Sequence, residues 1–404
     1  MKRPIYKSMN EILNMNRRDF LKSSGVAGAG LVLGTPSLWA QEKAADRKPS
    51  RPETNINDVL GIERITDSIP GKFPGKVVKV TNENAVTDTG FDTATIHKMF
   101  EKGLTQLSGS GMKQTFEMLF KAEDIIGIKV NPVGAGLIST RLEVVDAVIH
   151  WLKDNNIPDK HIIIWDRFDY MLKDAGFTKE RYPGIEVEGL QTMDEAAAEG
   201  KSDDNSKWLD ANGNHISLPL FDQHVYYYAD VEAPQDLNYL NQHVVNTKYS
   251  YFGKLLTQKL TKIINVPVFK NTGNGISMAT KNIGYAAICN TGRLHQPLFF
   301  DVCTEVLAFP CVRDKLVLNI TDGLRGQYDG GPGPNAGFVY DYNTLFFATD
   351  PIALDMTCHN ILLEKRKSMN ISVNENPRFT DYLRYAQELK LGIADVEKIK
   401  VIEA

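Results

Sequence analysis

Four cysteines occur in 404 residues, at Cys289, Cys303, Cys311 and Cys358, and no two of them form a C-x-x-C pair. That spacing excludes the usual ferredoxin cluster run and the usual zinc ribbon. Buried, inert thiols are the favoured reading, with disulfides or a centre assembled from distant cysteines as alternatives. The dinucleotide G-x-G-x-x-G after a strand, the P-loop, H-E-x-x-H and the G-x-S-x-G elbow are all missing, so classical dinucleotide, kinase, zincin and serine-hydrolase readings fall. No repeat, low-complexity segment or basic run stands out, and the longest mildly apolar stretch near the start, Gly25 to Leu33, is too short and too rich in Gly and Ala to span a bilayer.

What is present begins at "NRRDFLKSSGVAGAGLVLGTPSLWA", Asn16 to Ala40. Arg17 and Arg18, the apolar run behind them and the small-residue end at Ala40 follow the order of an export signal and resemble a twin-arginine signal peptide. Cargo of that route crosses the membrane folded, often around a cofactor. The expectation is therefore residues 1–40 as a signal removed near Ala40, a periplasmic mature chain, the twin-arginine machinery as a partner, and no stable membrane insertion. Residues 1–40 carry six Lys/Arg and two Asp/Glu, so their loss takes the formal net charge from −4 to −8. A mildly acidic chain without basic runs argues against nucleic acid as a partner.

About 360 residues then remain, enough for two domains or one large α/β unit. Residues 41–57 are polar and read as a linker, and 58–404 as the α/β domain. "GKVVKVT" (75–81) predicts a first strand, and 93–109 a helix with a Gly stop. "DIIGIKVN" (124–131), a helix over 139–156 opened by a Ser/Thr cap, and "KHIIIWD" (160–166) form a strand, helix, strand unit. Its strands are apolar on both faces, which predicts a parallel crossover. Residues 186–249 are rich in Asp, Asn, Gln and Tyr and read as an insertion, with a hairpin at Asn212-Gly213. Asp210, Asn212 and Asn214 resemble part of a calcium loop but lack its Gly and distal Glu. Further strands are predicted over 259–269, 315–323 and 344–350 and at the C-terminal end. Helices are predicted near 277–285 and 297–308 and from Pro351 to about Lys365. The fold class is α/β, with a mostly parallel sheet, flanking helices and an irregular polar insertion.

Polar residues fall where these strands end: Lys129 and Asn131, Asp166, Lys270 to Thr272, Asp322 and Asp350. In an open parallel sheet such ends face one crevice, where ligands bind. Asp350 before Pro351 also fits a helix N-cap. A lysine inside an apolar strand, as Lys129 is, must be paired or reach a cleft. Lys129, Lys270, Lys281, Arg293 and Arg325 lie in or beside Gly-rich turns that include Gly330 and Gly331, and cations with exposed amides make an anion site. Turns with surface ion pairs are the bland alternative.

Three stretches, "IGIKVNPVGAG" with "EVVDAVIHWLKDNN", "INVPVFKNTGNGISMATKN", and "ITDGLRGQYDGGPGP" with "ATDPIALDM", resemble the domain of unknown function 362 in a twin-arginine-exported form, over about Gly75 to Lys365. The family's activity is undetermined. The resemblance points to Lys129, Asn131, Lys270, Lys281, Asn282, Asp322 with the glycines up to Pro332, Asp350 and Asp355. Thr272 stands where relatives often have a histidine, so a metal role would fall to Asp355 with His295, or to His359.

Two readings follow. One is an exported enzyme with Lys129, Lys270, Asp322 and Asp350 as catalytic residues. In it Asn131, Lys281, Asn282, Arg293, Arg325, Gly330 and Gly331 bind a small anionic substrate or cofactor, with a divalent metal as the candidate ion and an iron–sulfur cluster less favoured. The other is an accessory protein that holds an anion or matures a redox partner without turnover.

Overall fold

The computed structural model describes residues 51–191, 220–231, 248–295, 298–373, 376 and 378–404. The export signal, most of the expected linker and the hairpin and calcium-loop readings at 209–218 lie outside the described residues.

The strands are β1 (Lys76–Thr81), β2 (Val86–Thr87), β3 (Gly90–Phe91), β4 (Ile126–Val130), β5 (Ile162–Phe168), β6 (Glu186–Gln191), β7 (Phe221–Tyr228), β8 (Tyr249–Gly253), β9 (Lys262–Val266), β10 (Val268–Thr272), β11 (Gly275–Ile276), β12 (Leu316–Gln327), β13 (Val339–Ala348) and β14 (Lys400–Glu403). Ten of them form one sheet in the order β14-β1-β13-β12-β9-β4-β5-β6, with β10 beside β12 and β11 beside β10. The pairs β14-β1, β12-β9, β9-β4, β4-β5, β5-β6 and β10-β12 are parallel. β13 is antiparallel to both its neighbours. The chain is thus α/β with a large, mostly parallel sheet.

Helices cover both faces: α1 (Thr93–Ser108), α2 (Met112–Leu119), α3 (Leu142–Asp154), α4 (Asp169–Asp174), α5 (Ala279–Gly284), α6 (Asp301–Leu307), α7 (Pro351–Ser368) and α8 (Arg378–Glu388). One core cluster gathers Ile126, Ile128 and Val130 of β4 with Val145, Val148 and Leu152 of α3 and Met99 and Leu104 of α1. The other face packs Trp165 and Ile263 against Ile283 of α5 and Val302 and Val306 of α6. Burial on both faces is why β4, β5 and β9 read as continuous apolar runs.

Four differences from the sequence expectation stand out. The strand expected over 259–269 is two strands, broken at Pro267, which has no N–H to give a ladder; its carbonyl accepts from Asp322 N at 2.8 Å. Helix α3 has no side-chain cap of its own. Its N-cap is Arg141, and Thr140 uses its hydroxyl to accept from Asn131 N at 2.7 Å and donate to the Val266 carbonyl at 2.8 Å. The polar stretch 186–249 supplies a strand of the main sheet, β6, as well as the separate β7-β8 pair. Of the expected linker, residues 51–57 pack on the domain: Arg51 pairs with Asp301 at 3.3 Å and with Glu305, a buried carboxylate that requires a counter-charge.

Candidate functional site

Register places Lys129 of β4 beside Asn265 of β9, and Asn265 beside Asn319 of β12. Three neighbouring strands thereby carry a polar row through the sheet, and all three residues are buried. Buried polar groups must be bonded, and helix α5 completes the network. Asn282 Oδ1 accepts from Lys129 Nζ at 3.0 Å and from Asn131 Nδ2 at 3.2 Å, while Asn282 Nδ2 donates to Asn265 Oδ1 at 2.8 Å. Asn265 Nδ2 in turn donates to Asn319 Oδ1 at 2.9 Å.

The cations converge here. Lys129 Nζ stands 2.6 Å from Asp166 Oδ1, also donates to the Val130 carbonyl, and lies 5.6 Å from the centre of the Trp165 ring. Lys270 Nζ donates to Asn131 Oδ1 at 3.0 Å and to the Val133 carbonyl at 3.3 Å, both neutral acceptors. Lys281 is half-buried, with its ammonium 5.1 Å from the ring of Tyr285 and 5.4 Å from that of Phe299. Beside Asp166, Arg167 donates to Thr291 Oγ1.

Desolvation dominates the electrostatics. It pulls the Lys129 ammonium below its ordinary value against the pull of Asp166, and it pulls Lys281 down too, with Lys129 adding repulsion. Lys270 is lowered to about 7 by burial first, then by the charge of Lys281, with Lys129 adding to it and Asp166 opposing. Among the described residues, Asp166 is the one carboxylate acting on Lys129 and Lys270.

The other sequence candidates divide. Asn131 and Asn282 belong to the cluster. Asp322 is buried on the far side of the loop that carries Asn131. Its Oδ2 accepts from Arg141 N at 2.7 Å, supplying from outside the cap that α3 lacks, and burial raises it to about 6. Asp350 is not brought to the cluster, because β13 runs against its neighbours and delivers it to the opposite end of the sheet. There its carboxylate accepts from Ile352 N, Ala353 N, Gly75 N and Ile393 N at 2.9–3.0 Å. Asp355 accepts from Ala279 N, Thr280 N and Thr280 Oγ1 at 2.6–2.9 Å, so it caps α5 and fixes the helix that presents Lys281 and Asn282.

Arg293 bonds the carbonyls of Ala229, Val231 and Lys248 and the Ser250 hydroxyl, and so ties down the β7-β8 region. Arg325 pairs with Asp341. Gly330 has φ +70°, and a Cβ on Gly331 would lie 2.3 Å from the Asn271 carbonyl. This pair therefore seats its turn on the β10-β11 turn, where Gly331 N donates to Asn271 Oδ1 at 2.9 Å.

The metal candidates are not brought together. Among the described residues no three His, Cys, Asp or Glu side chains gather to hold an ion. Asp355 spends its oxygens on α5, and His295 Nδ1 lies 2.9 Å from the Thr291 carbonyl, its ring pushed down to about 3 by burial and by Lys281. His359 is also held low, at about 4, by burial. The four cysteines are free thiols. Asp166 was legible as a strand end, but its pairing with Lys129 was not. Asn265 and Asn319 went unnoticed, although "KIINVPVF" and "KLVLNITD" each place an asparagine inside an apolar run, as "IGIKVN" places its lysine.

Residues 209–360 match the family model described as a domain of unknown function (DUF362), and residues 14–34 match a TAT (twin-arginine translocation) pathway signal sequence. No curated protein and no solved structure matches the chain. The family match is shorter than the stretch that carries the sequence resemblance. It takes in Lys270, Lys281, Asn282, Asp322 and Asp355, while Lys129, Asn131 and Asp166 precede it. Among the described residues no helix is long and apolar enough to cross a membrane.

Proposed function

For an exported chain whose residues 209–360 belong to the DUF362 family, we propose that the Lys129–Lys270–Lys281 cluster is a binding site for a small anion, a carboxylate or a phosphate, and that Lys270 exchanges a proton with the bound molecule. One observation carries this reading: among the described residues, Lys129 and Lys270 have the one carboxylate of Asp166 between them, and Lys281 adds a third ammonium on which Lys129 acts but Asp166 does not. Lys129 takes that carboxylate at 2.6 Å, Lys270 has only neutral acceptors, and Lys281 meets two aromatic rings. Excess positive charge in a water-poor site is relieved by an anion, whose attraction is far stronger there than in bulk water.

An amine near neutrality is matched to acid–base work at ordinary pH, which favours an enzyme over a passive carrier. Asp355 and Asp322 position α5 and the Asn131 loop. The twin-arginine signal supports export across the cytoplasmic membrane, and the reading puts this chemistry in the periplasm.

The test is calorimetric titration of the mature protein with inorganic phosphate and with acetate. Binding of at least one, weakened tenfold or more by Lys281→Ala (about 1.4 kcal/mol), is the expected result. No heat with either anion in the wild type, or no change in Lys281→Ala, overturns the reading. Turnover-free binding in which Lys270→Gln leaves the pH dependence of affinity unchanged would favour the accessory role.

A further inference from the structure

We propose that Lys270 is a carbonyl-reactive amine and that the molecule this site takes is a small 2-oxo carboxylate, held as an imine; the inference rests on the anion site above. The geometry selects Lys270 among the three lysines. Lys129 has a carboxylate at 2.6 Å, which keeps its proton in place. Lys281 is half-buried and lies against the faces of two rings, an environment suited to a cation. Lys270 is 1 % exposed and its acceptors are an amide oxygen and a peptide carbonyl. Of the three, it is the one with neither a paired carboxylate nor an aromatic cradle among the described residues, and so the one that loses a proton at least cost.

A buried, uncharged amine beside other cations is a nucleophile. The same neighbours suit a carbonyl whose adjacent carbon bears a carboxylate, since the Lys281 ammonium then faces the anion while Lys270 Nζ faces the carbonyl carbon. The step balances without an oxidant or reductant. The Nζ lone pair forms the C–N bond as the C=O π bond breaks, and one N–H proton passes to the oxygen to give a carbinolamine. Loss of the hydroxyl with the second N–H proton releases one water and leaves C=N. Of the two acceptors of Lys270 Nζ, the Val133 carbonyl belongs to a half-buried residue and the Asn131 amide to a buried one.

The test uses the mature protein at pH 7.5 with pyruvate and sodium cyanoborohydride, read by intact mass and peptide mapping. Inorganic phosphate is titrated in parallel by calorimetry. An ordinary lysine is only about a thousandth unprotonated at this pH, so Lys270 is expected to be modified about a hundredfold faster than any exposed lysine. The expected result is one adduct per chain on the peptide containing Lys270, slowed by added phosphate and absent in Lys270→Arg, whose fold is checked by near-ultraviolet dichroism. Phosphate binding without a Lys270 adduct overturns the imine and leaves the anion site standing. Neither binding nor adduct overturns both. Adducts spread over exposed lysines, unchanged in wild type when Lys270 is occupied by phosphate, also overturn the imine.

Discussion

Lys129 and Asp166, on adjacent parallel strands, form an ion pair of 2.6 Å in which both side chains are less than a tenth exposed. A buried pair of this kind contributes little by its presence and costs much when halved, because the remaining charge has no solvent to fall back on. Asp166→Asn is therefore expected to destabilise the fold by about 3–5 kcal/mol, measured by urea unfolding. The replacement of both partners by apolar residues of similar volume is expected to cost clearly less. Equal losses in the single and double variants would show that the pair is not the source of the effect.

The lysine cluster sets a pH dependence of stability. Lys270 titrates near 7 in the folded protein and at 10.5 ordinarily. Between those values Lys270 holds more of its proton in the unfolded chain than in the folded one, so its contribution to stability rises with pH across that window and levels off above it. Lys129 and Lys281, also lowered, push in the same direction. Lys270→Met is expected to flatten much of this rise, with its largest gain in stability at and below neutral pH. An unchanged slope in chemical denaturation between pH 7 and 10 would contradict the burial of an amine at this position.

Asn282 joins both parts of the network, so a charge change there is informative. Asn282→Asp adds a second carboxylate within 3.0 Å of Lys129 and removes the donor to Asn265. Phosphate affinity is expected to fall about tenfold or more, as like charges repel in a site of low dielectric. Calorimetry reads the loss directly.

Asp350 offers the contrast. Its four acceptor bonds hold the start of α7, the residue before β1 and the turn at Ile393. Asp350→Ala is expected to cost about 2–4 kcal/mol of stability, the loss of a cap plus buried amides left unpaired, and to leave phosphate affinity unchanged. Thermal unfolding and calorimetry on the same variant separate the two.

The thiols are expected to be inert in the native state. Burial pushes Cys289 up to about 11 and Cys311 up to about 12, and raises Cys303 and Cys358 as well. Thiolate is the reactive form, so iodoacetamide should label four thiols in urea and none in buffer within the same time.

Much of the architecture was legible in the sequence because the central strands are buried on both faces. "IGIKV" and "HIIIWD" announce themselves as apolar runs, and Gly109 is the stop expected for α1, which the structure shows in the left-handed conformation. Strand direction was not legible. Nothing local distinguishes "TLFFATD" of the antiparallel β13 from a parallel strand, and the direction alone moves Asp350 from one end of the sheet to the other. The lysines drew attention by being charged in apolar surroundings. Asn265 and Asn319 did not, since an amide carries no charge that demands a partner and its importance appears only when the register sets it beside Lys129.

The pairing of β14 with β1, Lys76 beside Lys400, bears on how the chain is made. The outer edge of β1 stays open until residues 400–403 have been made, so the sheet cannot take its described form before then. A transport route that accepts only completed folds thereby acts as a check on this protein: molecules truncated before Lys400 would present an open strand edge and should accumulate on the cytoplasmic side.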